Sequence, residues 1–350
     1  MKKIPAAILG ATGSVGQRFV QLLDQHPLFD VVCFTGSDRT IGTRYGDTCR
    51  WLLTEPMPEW AKNIEVVPTD PQKVDLPVIF SALPADIAKT VEADFAAKGS
   101  MVFSNASAYR MAEDVPILIP EVNAEHYKLV DVQRRERGWK GGIVTNSNCT
   151  STGVTVAFKA ILDAFGIEKA FVVSMQALSG AGYPGVPSMD ILDNVIPYIG
   201  GEEHKVETEP LKMLGTFNGK GIDFAPFVIS AHTNRVAVSD GHTVCASIAL
   251  KNKASVADAI EVIRTYQGPE ISQNLPFSPL PVMVYRTEEN RPQPRMDRMT
   301  GKGMTTVVGR LREDPIFDLK MVIYSHNTIR GAAGGSVYNA ELLAKMGYIH

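Results

Sequence analysis

The chain has 350 residues, more than one hydrophobic core usually serves, so two cores are expected. It is 45% hydrophobic and 21% charged with a formal net charge of -3, which gives no broad field for nucleic acid and points to small-molecule partners. No apolar run approaches the roughly 20 residues of a membrane-spanning helix, and Cys33, Cys49, Cys149 and Cys245 form no CxxC pair, which argues against a disulfide framework or a zinc site and for a reducing cytoplasm.

The opening MKKIPAAILGATG reads as a strand running into a glycine turn rather than as a signal peptide. From there apolar runs alternate with helical patterns: IPAAILG, VGQRFVQLLDQHP, FDVVCFTGS, LPVIFSALP, IAKTVEADFAAKG and MVFSNAS. Strands spaced by helices predict a parallel α/β sheet. In the first turn Gly10, Gly13 and Gly16 are spaced GxxGxxG, with Thr12, Ser14 and Val15 between them. Missing side chains there let backbone N–H groups and a helix N-terminus approach a pyrophosphate, which makes the turn a dinucleotide candidate; a tight turn without a ligand is the plainer reading. At the end of the second strand Ser37 and Arg39 suit a 2′-phosphate, the guanidinium as a fork, so NADP is preferred; Asp38 beside them keeps NAD open.

The segment IVTNSNCTSTGVTVAFKAIL places Cys149 between an apolar strand and a helix, with Asn148, Thr150 and Ser151 as candidate caps. A thiol there meets the positive end of the helix dipole, which predicts a lowered pKa and donors for an oxyanion. The alternative is a small buried hydrophobe, the role expected of Cys33 and Cys245 in their apolar strands. After about residue 150 the strand-like runs AFVVSMQALSG, TNRVAVSDGHTVCASIALK and DLKMVIYSHN predict an α+β part with an antiparallel or mixed sheet. PFSPLPVMVYRTEENRPQPRMDR reads as an ordered arm, and GAAGGSVYNAELLAKMGYI as a last helix that returns to an earlier layer.

Taken together, GATGSVGQRF, SNCTSTG, SGAGYPG, HTNRVAVSDGH and NTIRGAAGGS resemble the aspartate-semialdehyde dehydrogenases of archaeal and fungal type over nearly the whole chain. The resemblance implies a Rossmann-like NADP-binding domain, residues 1–148 and 328–350, and an α+β catalytic and dimerisation domain of the glyceraldehyde-3-phosphate dehydrogenase-like type, residues 149–327. It implies NADPH-dependent conversion of L-aspartyl 4-phosphate to L-aspartate 4-semialdehyde, in lysine, threonine and methionine biosynthesis, by a homodimer or homotetramer.

By the same resemblance Cys149 is the nucleophile, His242 the acid/base and Gln176 the group placing the substrate. Arg235 would bind the substrate carboxylate, Arg110 and Asn105 the phosphate, and Glu209 with Lys212 the amino group and phosphate. Glu202, Glu203, Lys205 and Glu207 crowd that last stretch and read, without the family, as a solvated helix face. Ser81, Leu83, Ser179, Gly180, Gly182 and Asn327 complete the expected cofactor set, and His232 is read as structural. The chemistry suits these residues, since sulfur attacks an acyl carbon, forms a thioester that accepts hydride, and then leaves, with a histidine near neutrality moving the protons. The rivals are a malonyl-CoA reductase on the same cysteine logic and a catalytically silent NADP-binding module.

Overall fold

A computed structural model describes residues 2–349. Six parallel strands form the first sheet: β1 (Ile4–Leu9), β2 (Phe29–Gly36), β3 (Val66–Pro68), β4 (Val78–Ser81), β5 (Met101–Ser104) and β6 (Gly142–Thr145), in the order β3-β2-β1-β4-β5-β6. Every residue of β4, β5 and β6 is buried, as a sheet covered by helices on both faces requires. The order reverses beside β1, and this is where a doubly wound sheet opens a crevice at the carboxyl ends of its strands. Helix α1 (Ser14–Leu22) leaves β1 there, and α2 (Ala85–Lys98) leaves β4.

The helix that begins at Cys149, α3 (Cys149–Phe165), follows β6 but packs on the second sheet, which is mixed: β7 (Ile167–Gln176), β8 (Val228–Arg235), β9 (His242–Leu250), β10 (Met283–Arg286), β11 (Thr306–Glu313) and β12 (Leu319–Ser325), in the order β8-β7-β9-β12-β11-β10. Val154, Phe158 and Ile161 of α3 share a core with Val172, Val244 and Met321 of that sheet. Helix α4 (Glu202–Met213) covers the edge strand β8. The last helix, α5 (Gly334–Lys345), packs Val337, Ala340 and Leu343 beside Phe19, Phe80 and Phe103 of the first sheet's core.

The Pro/Arg-rich arm is ordered around the Asp297 carboxylate, which accepts hydrogen bonds from Arg286 (3.0 Å), Arg291 (2.7 Å) and the Gln293 amide (2.7 Å). Cys245 departs from expectation. Alternate residues of β9 face the core, and Cys245 falls on the opposite, exposed face, while Cys33 is only partly buried. Among the described residues no helix is long and apolar enough to cross a membrane, and no cluster of three or more His, Cys, Asp or Glu side chains is placed to hold a metal ion.

Candidate active site

After β6 the chain turns at Asn148, whose side-chain oxygen accepts the amides of Thr150 (2.9 Å) and Ser151 (3.1 Å) and so makes Cys149 the first residue of α3. Its Sγ lies 3.1 Å from Nε2 of His242, the first residue of β9. The other ring nitrogen, Nδ1, accepts the Ala177 amide at 3.0 Å. A nitrogen that accepts a backbone N–H carries no proton, so this network assigns the proton of the neutral ring to Nε2 and aims it at sulfur.

Two expectations about protonation are overturned by burial. Cys149 keeps some surface toward the cavity, yet the protein packed around it pushes the thiol up to about 12; the Glu202 carboxylate adds to this, and Arg110 and Arg235 oppose it. Burial likewise holds His242 down at about 4, against the pull of Glu202. The resting pair is therefore thiol and neutral imidazole. The cap consumes the Thr150 and Ser151 amides, so the oxyanion donors expected from that turn reduce to the Cys149 N–H and the Nε2–H of His242.

Around this pair lies a cavity of about 680 Å³, walled by Asn105, Arg110, Gln176, Arg235, Glu202 and Lys205 among others, a size that suits a small-molecule site. Gln176 ends β7, with Nε2 donating to Ser174 Oγ (3.1 Å), and Arg235 ends β8, with one guanidinium nitrogen donating to the Ala177 carbonyl (2.6 Å). Arg110 spends three of its five N–H groups on the protein: Asn146 O (2.9 Å), Asn105 O (2.8 Å) and Glu209 Oε1 (3.0 Å). Two remain for a ligand.

The structure does not bring Glu209 and Lys212 to the cavity wall. Glu209 sits behind Arg110 and accepts the Asn148 amide at 2.6 Å. Lys212 is buried, and Nζ donates to the carbonyls of Arg110, Ala112 and Val115, each at 2.7 Å, so all three of its hydrogens are used. One helix segment earlier, at the same i,i+3 spacing, Glu202 and Lys205 face the cavity 3.3 Å apart. Sequence reading missed them because two Glu/Lys pairs in one helix share a pattern, and only packing tells which one is turned inward. Glu202 also accepts the Asn148 side-chain amide (2.7 Å), and this bond with Lys205 holds its carboxyl below the usual range despite burial. His232, by contrast, stands exposed on β8, edge-on to Phe171 and away from the cavity.

The opposite wall is formed by Ser14, Val15, Leu83, Ser179, Gly180, Gly182 and Asn327. It fits a dinucleotide. Gly13 precedes helix α1 and offers no side-chain cap, which leaves the first-turn amides free, and Ser14 and Val15 line the cavity. Gly10 has φ +70°, and a Cβ on Gly16 would lie 2.3 Å from the Gly10 carbonyl, so the turn closes only with glycine at these two positions. Thr12 gives its carbonyl to Gln17 (2.9 Å) rather than facing the cavity. A Cβ on Gly180 would lie 3.1 Å from the Arg235 guanidinium and 3.2 Å from the His242 ring.

Asn327 is fixed at both ends, accepting the Gly241 amide and donating to Ser179 Oγ, each at 2.8 Å. Ser37 and Arg39 stand exposed at the end of β2, and Arg39 makes no ion pair among the described residues, which leaves its fork available for a phosphate. Ser81 does not reach the wall: its side chain is fully buried, and its carbonyl holds the Asn105 amide.

Comparison with known proteins identifies the family. Residues 5–130 match a family model described as semialdehyde dehydrogenase, NAD binding domain, and residues 158–330 one described as semialdehyde dehydrogenase, dimerisation domain. The aspartate-semialdehyde dehydrogenase of Archaeoglobus fulgidus is 51% identical over 97% of this chain and 97% of its own, and that of Methanothermobacter thermautotrophicus 50% identical over 97% and 99%. A crystal structure of the Candida albicans aspartate semialdehyde dehydrogenase with NADP superposes with a TM-score of 0.91 at 39% identity, covering 99% of this chain and 100% of the other. With both family models matched and with relatives of 50–51% identity aligned nearly end to end, this chain belongs to the aspartate-semialdehyde dehydrogenase family.

Proposed function

We propose that the protein catalyses the NADP-linked interconversion of L-aspartyl 4-phosphate and L-aspartate 4-semialdehyde through a thioester on Cys149. The observation that carries this reading is the 3.1 Å contact between Sγ and Nε2 in a cavity flanked by Arg110 and Arg235. Sulfur attacks the acyl carbon, an S–C bond forms, and the bond to phosphate breaks. Nε2 gives its proton to the leaving phosphate and recovers one from the thiol, so the ring ends as it began. A bound NADPH supplies the hydride that reduces the thioester. The Nε2–H and Cys149 N–H then support the developing alkoxide, which takes the Nε2 proton. As the C–S bond breaks, that proton returns to Nε2, sulfur departs as thiolate while the aldehyde leaves, and a proton from solvent restores the thiol.

Charge assigns the substrate contacts. Arg235 and Gln176 hold the α-carboxylate, Glu202 the ammonium, and Lys205, Asn105 and the two free N–H groups of Arg110 the phosphate. Ser14, Val15, Leu83, Ser179, Gly180, Gly182 and Asn327 hold the cofactor, and Ser37 with Arg39 its 2′-phosphate. We assign residues 1–148 and 328–350 to the cofactor domain and 149–327 to the catalytic domain, residues 1 and 350 lying outside the described ones. The active unit is a homodimer or homotetramer, and it works in the cytoplasm in the supply of lysine, threonine and methionine.

The test is phosphate-dependent reduction of NADP by L-aspartate 4-semialdehyde, with wild type and Cys149→Ser. Activity that disappears in the variant supports substrate class and nucleophile together. Silence with the semialdehyde, but oxidation of NADPH by malonyl-CoA, would replace the proposal with a CoA-thioester reductase. Silence with both would leave a binding module.

A further inference from the structure

The glutamates left over from the crowded stretch of α4 have a use that the reaction does not absorb. Glu203 Oε1 accepts the backbone amide of Thr233 at 3.1 Å, and Glu207 Oε1 that of Ala231 at 3.0 Å. The next outward amide of the same strand, Arg235 N, donates to the Ile196 carbonyl at 2.8 Å, and Ile196 N returns a bond to the Arg235 carbonyl at 3.1 Å. Every second amide along the free edge of β8, from 231 to 235, is thus occupied, three in succession. The geometry allows this because outward N–H groups repeat about every 6.6 Å along a strand, while side chains four residues apart on a helix stand about 6 Å apart. The helix runs against the strand direction, with residue 203 beside 233 and 207 beside 231, which brings the start of α4 beside Thr233, one outward amide before Arg235.

The two faces of the helix do separate jobs. At about 100° per residue, Glu202, Lys205 and Glu209 fall on one stripe and Glu203 and Glu207 on another, roughly a quarter turn or more away. The first stripe carries the cavity groups Glu202 and Lys205, together with the Glu209 that braces Arg110 and Asn148. The second grips the strand that ends in Arg235. A slip of one strand residue would turn the side chains to the other face, and a change in the height of the helix would alter the span from Arg235 to Glu202 and Lys205. Neutral backbone–backbone contacts could cap an edge strand equally well; side-chain acceptors at these two positions fix which helix residues lie opposite which strand residues.

We propose that Glu203 and Glu207 are positioning residues for the substrate clamp, setting the distance between Arg235 on β8 and the Glu202/Lys205 pair on α4 by accepting the edge amides of Thr233 and Ala231. This rests on the reading of that clamp given above. The groups act as hydrogen-bond acceptors, so an amide oxygen in the same place serves and a methyl does not.

The experiment compares wild type, Glu203→Ala/Glu207→Ala, Glu203→Gln/Glu207→Gln and single Glu203→Ala in the phosphate-dependent oxidation of the semialdehyde, with thermal melts in parallel. The double alanine variant is expected to raise the KM for semialdehyde about tenfold, with the KM for NADP unchanged; the double glutamine variant recovers most of that loss, and Glu203→Ala falls between. Should the double alanine variant fail to fold, the single alanine and the double glutamine variants carry the same comparison. An unchanged semialdehyde KM in the alanine variants overturns the proposal. So does a glutamine variant as impaired as alanine, or an equal loss in both KM values, which would mark a general loosening of the protein. Wild type inactive with semialdehyde would fail the functional reading instead, and that outcome is visible before any variant is compared.

Discussion

Two lysines with the same local sequence pattern are assigned opposite roles, and replacing each by methionine separates them. Lys212 donates three hydrogen bonds at 2.7 Å from a nearly fully buried ammonium, and burial drops its pKa from 10.5 to about 8. Hydrogen bonds to a charged donor contribute about 1.5–3 kcal/mol each, whereas a shift of that size costs roughly 3 kcal/mol at neutral pH, so the ammonium stabilises the fold by a net of about 3 kcal/mol. Lys212→Met removes the donor and leaves the carbonyls of Arg110 and Val115 without partners, while that of Ala112 keeps the Val115 amide at 3.2 Å. For a chain of this size the loss corresponds to a drop in Tm of roughly 4 °C. The KM values of the surviving enzyme should stay within about twofold, because no hydrogen of Lys212 is free for a ligand. Lys205, a third exposed and 3.3 Å from Glu202, behaves in reverse. Lys205→Met should change stability by under about 1 kcal/mol and raise the KM for phosphate or semialdehyde at least about tenfold. Calorimetry and steady-state kinetics on the two variants decide the matter. A normal Tm with a raised KM in Lys212→Met, or the converse in Lys205→Met, would refute the assignment.

Gly180→Ala places a methyl 3.1 Å from the Arg235 guanidinium and 3.2 Å from the His242 ring; displacing either group by a fraction of an ångström should lower kcat about a hundredfold while leaving the melt nearly unchanged, and normal turnover would sink the argument. Because burial raises the Cys149 thiol to about 12, iodoacetamide labelling of the ligand-free protein should climb about tenfold per pH unit between neutrality and pH ~10. A plateau near neutral pH would mean that the helix N-terminus outweighs burial. Arg39→Gln should raise the KM for NADP by about tenfold or more with little effect on NAD; equal losses for both cofactors would place the 2′-phosphate elsewhere.

Local chemistry made much of this protein readable from its chain. A GxxGxxG turn between a strand and a helix, an asparagine before a cysteine at a helix start, and the alternation of apolar runs with helical patterns are short-range features, and each dictated its own backbone. Hence the parallel sheet and the capped Cys149 were legible in advance, and the return of the last helix to the first layer was implied by the family resemblance. Features set by packing between distant segments were not. Glu202/Lys205 and Glu209/Lys212 have one spacing and one composition, and only the docking of α4 on β8 turns the first pair to the cavity and buries the second under the Arg110 segment. Cys245 lies in an apolar run, but the register of β9 puts it on the outer face. The thiol and imidazole pKa values depend on how much water the two lobes exclude together, a property no single segment carries. The sequence by itself determined which residues were available and the backbone turns that present them; the tertiary structure decided which of them share one enclosed volume, because burial and charge act through space and take no account of separation along the chain.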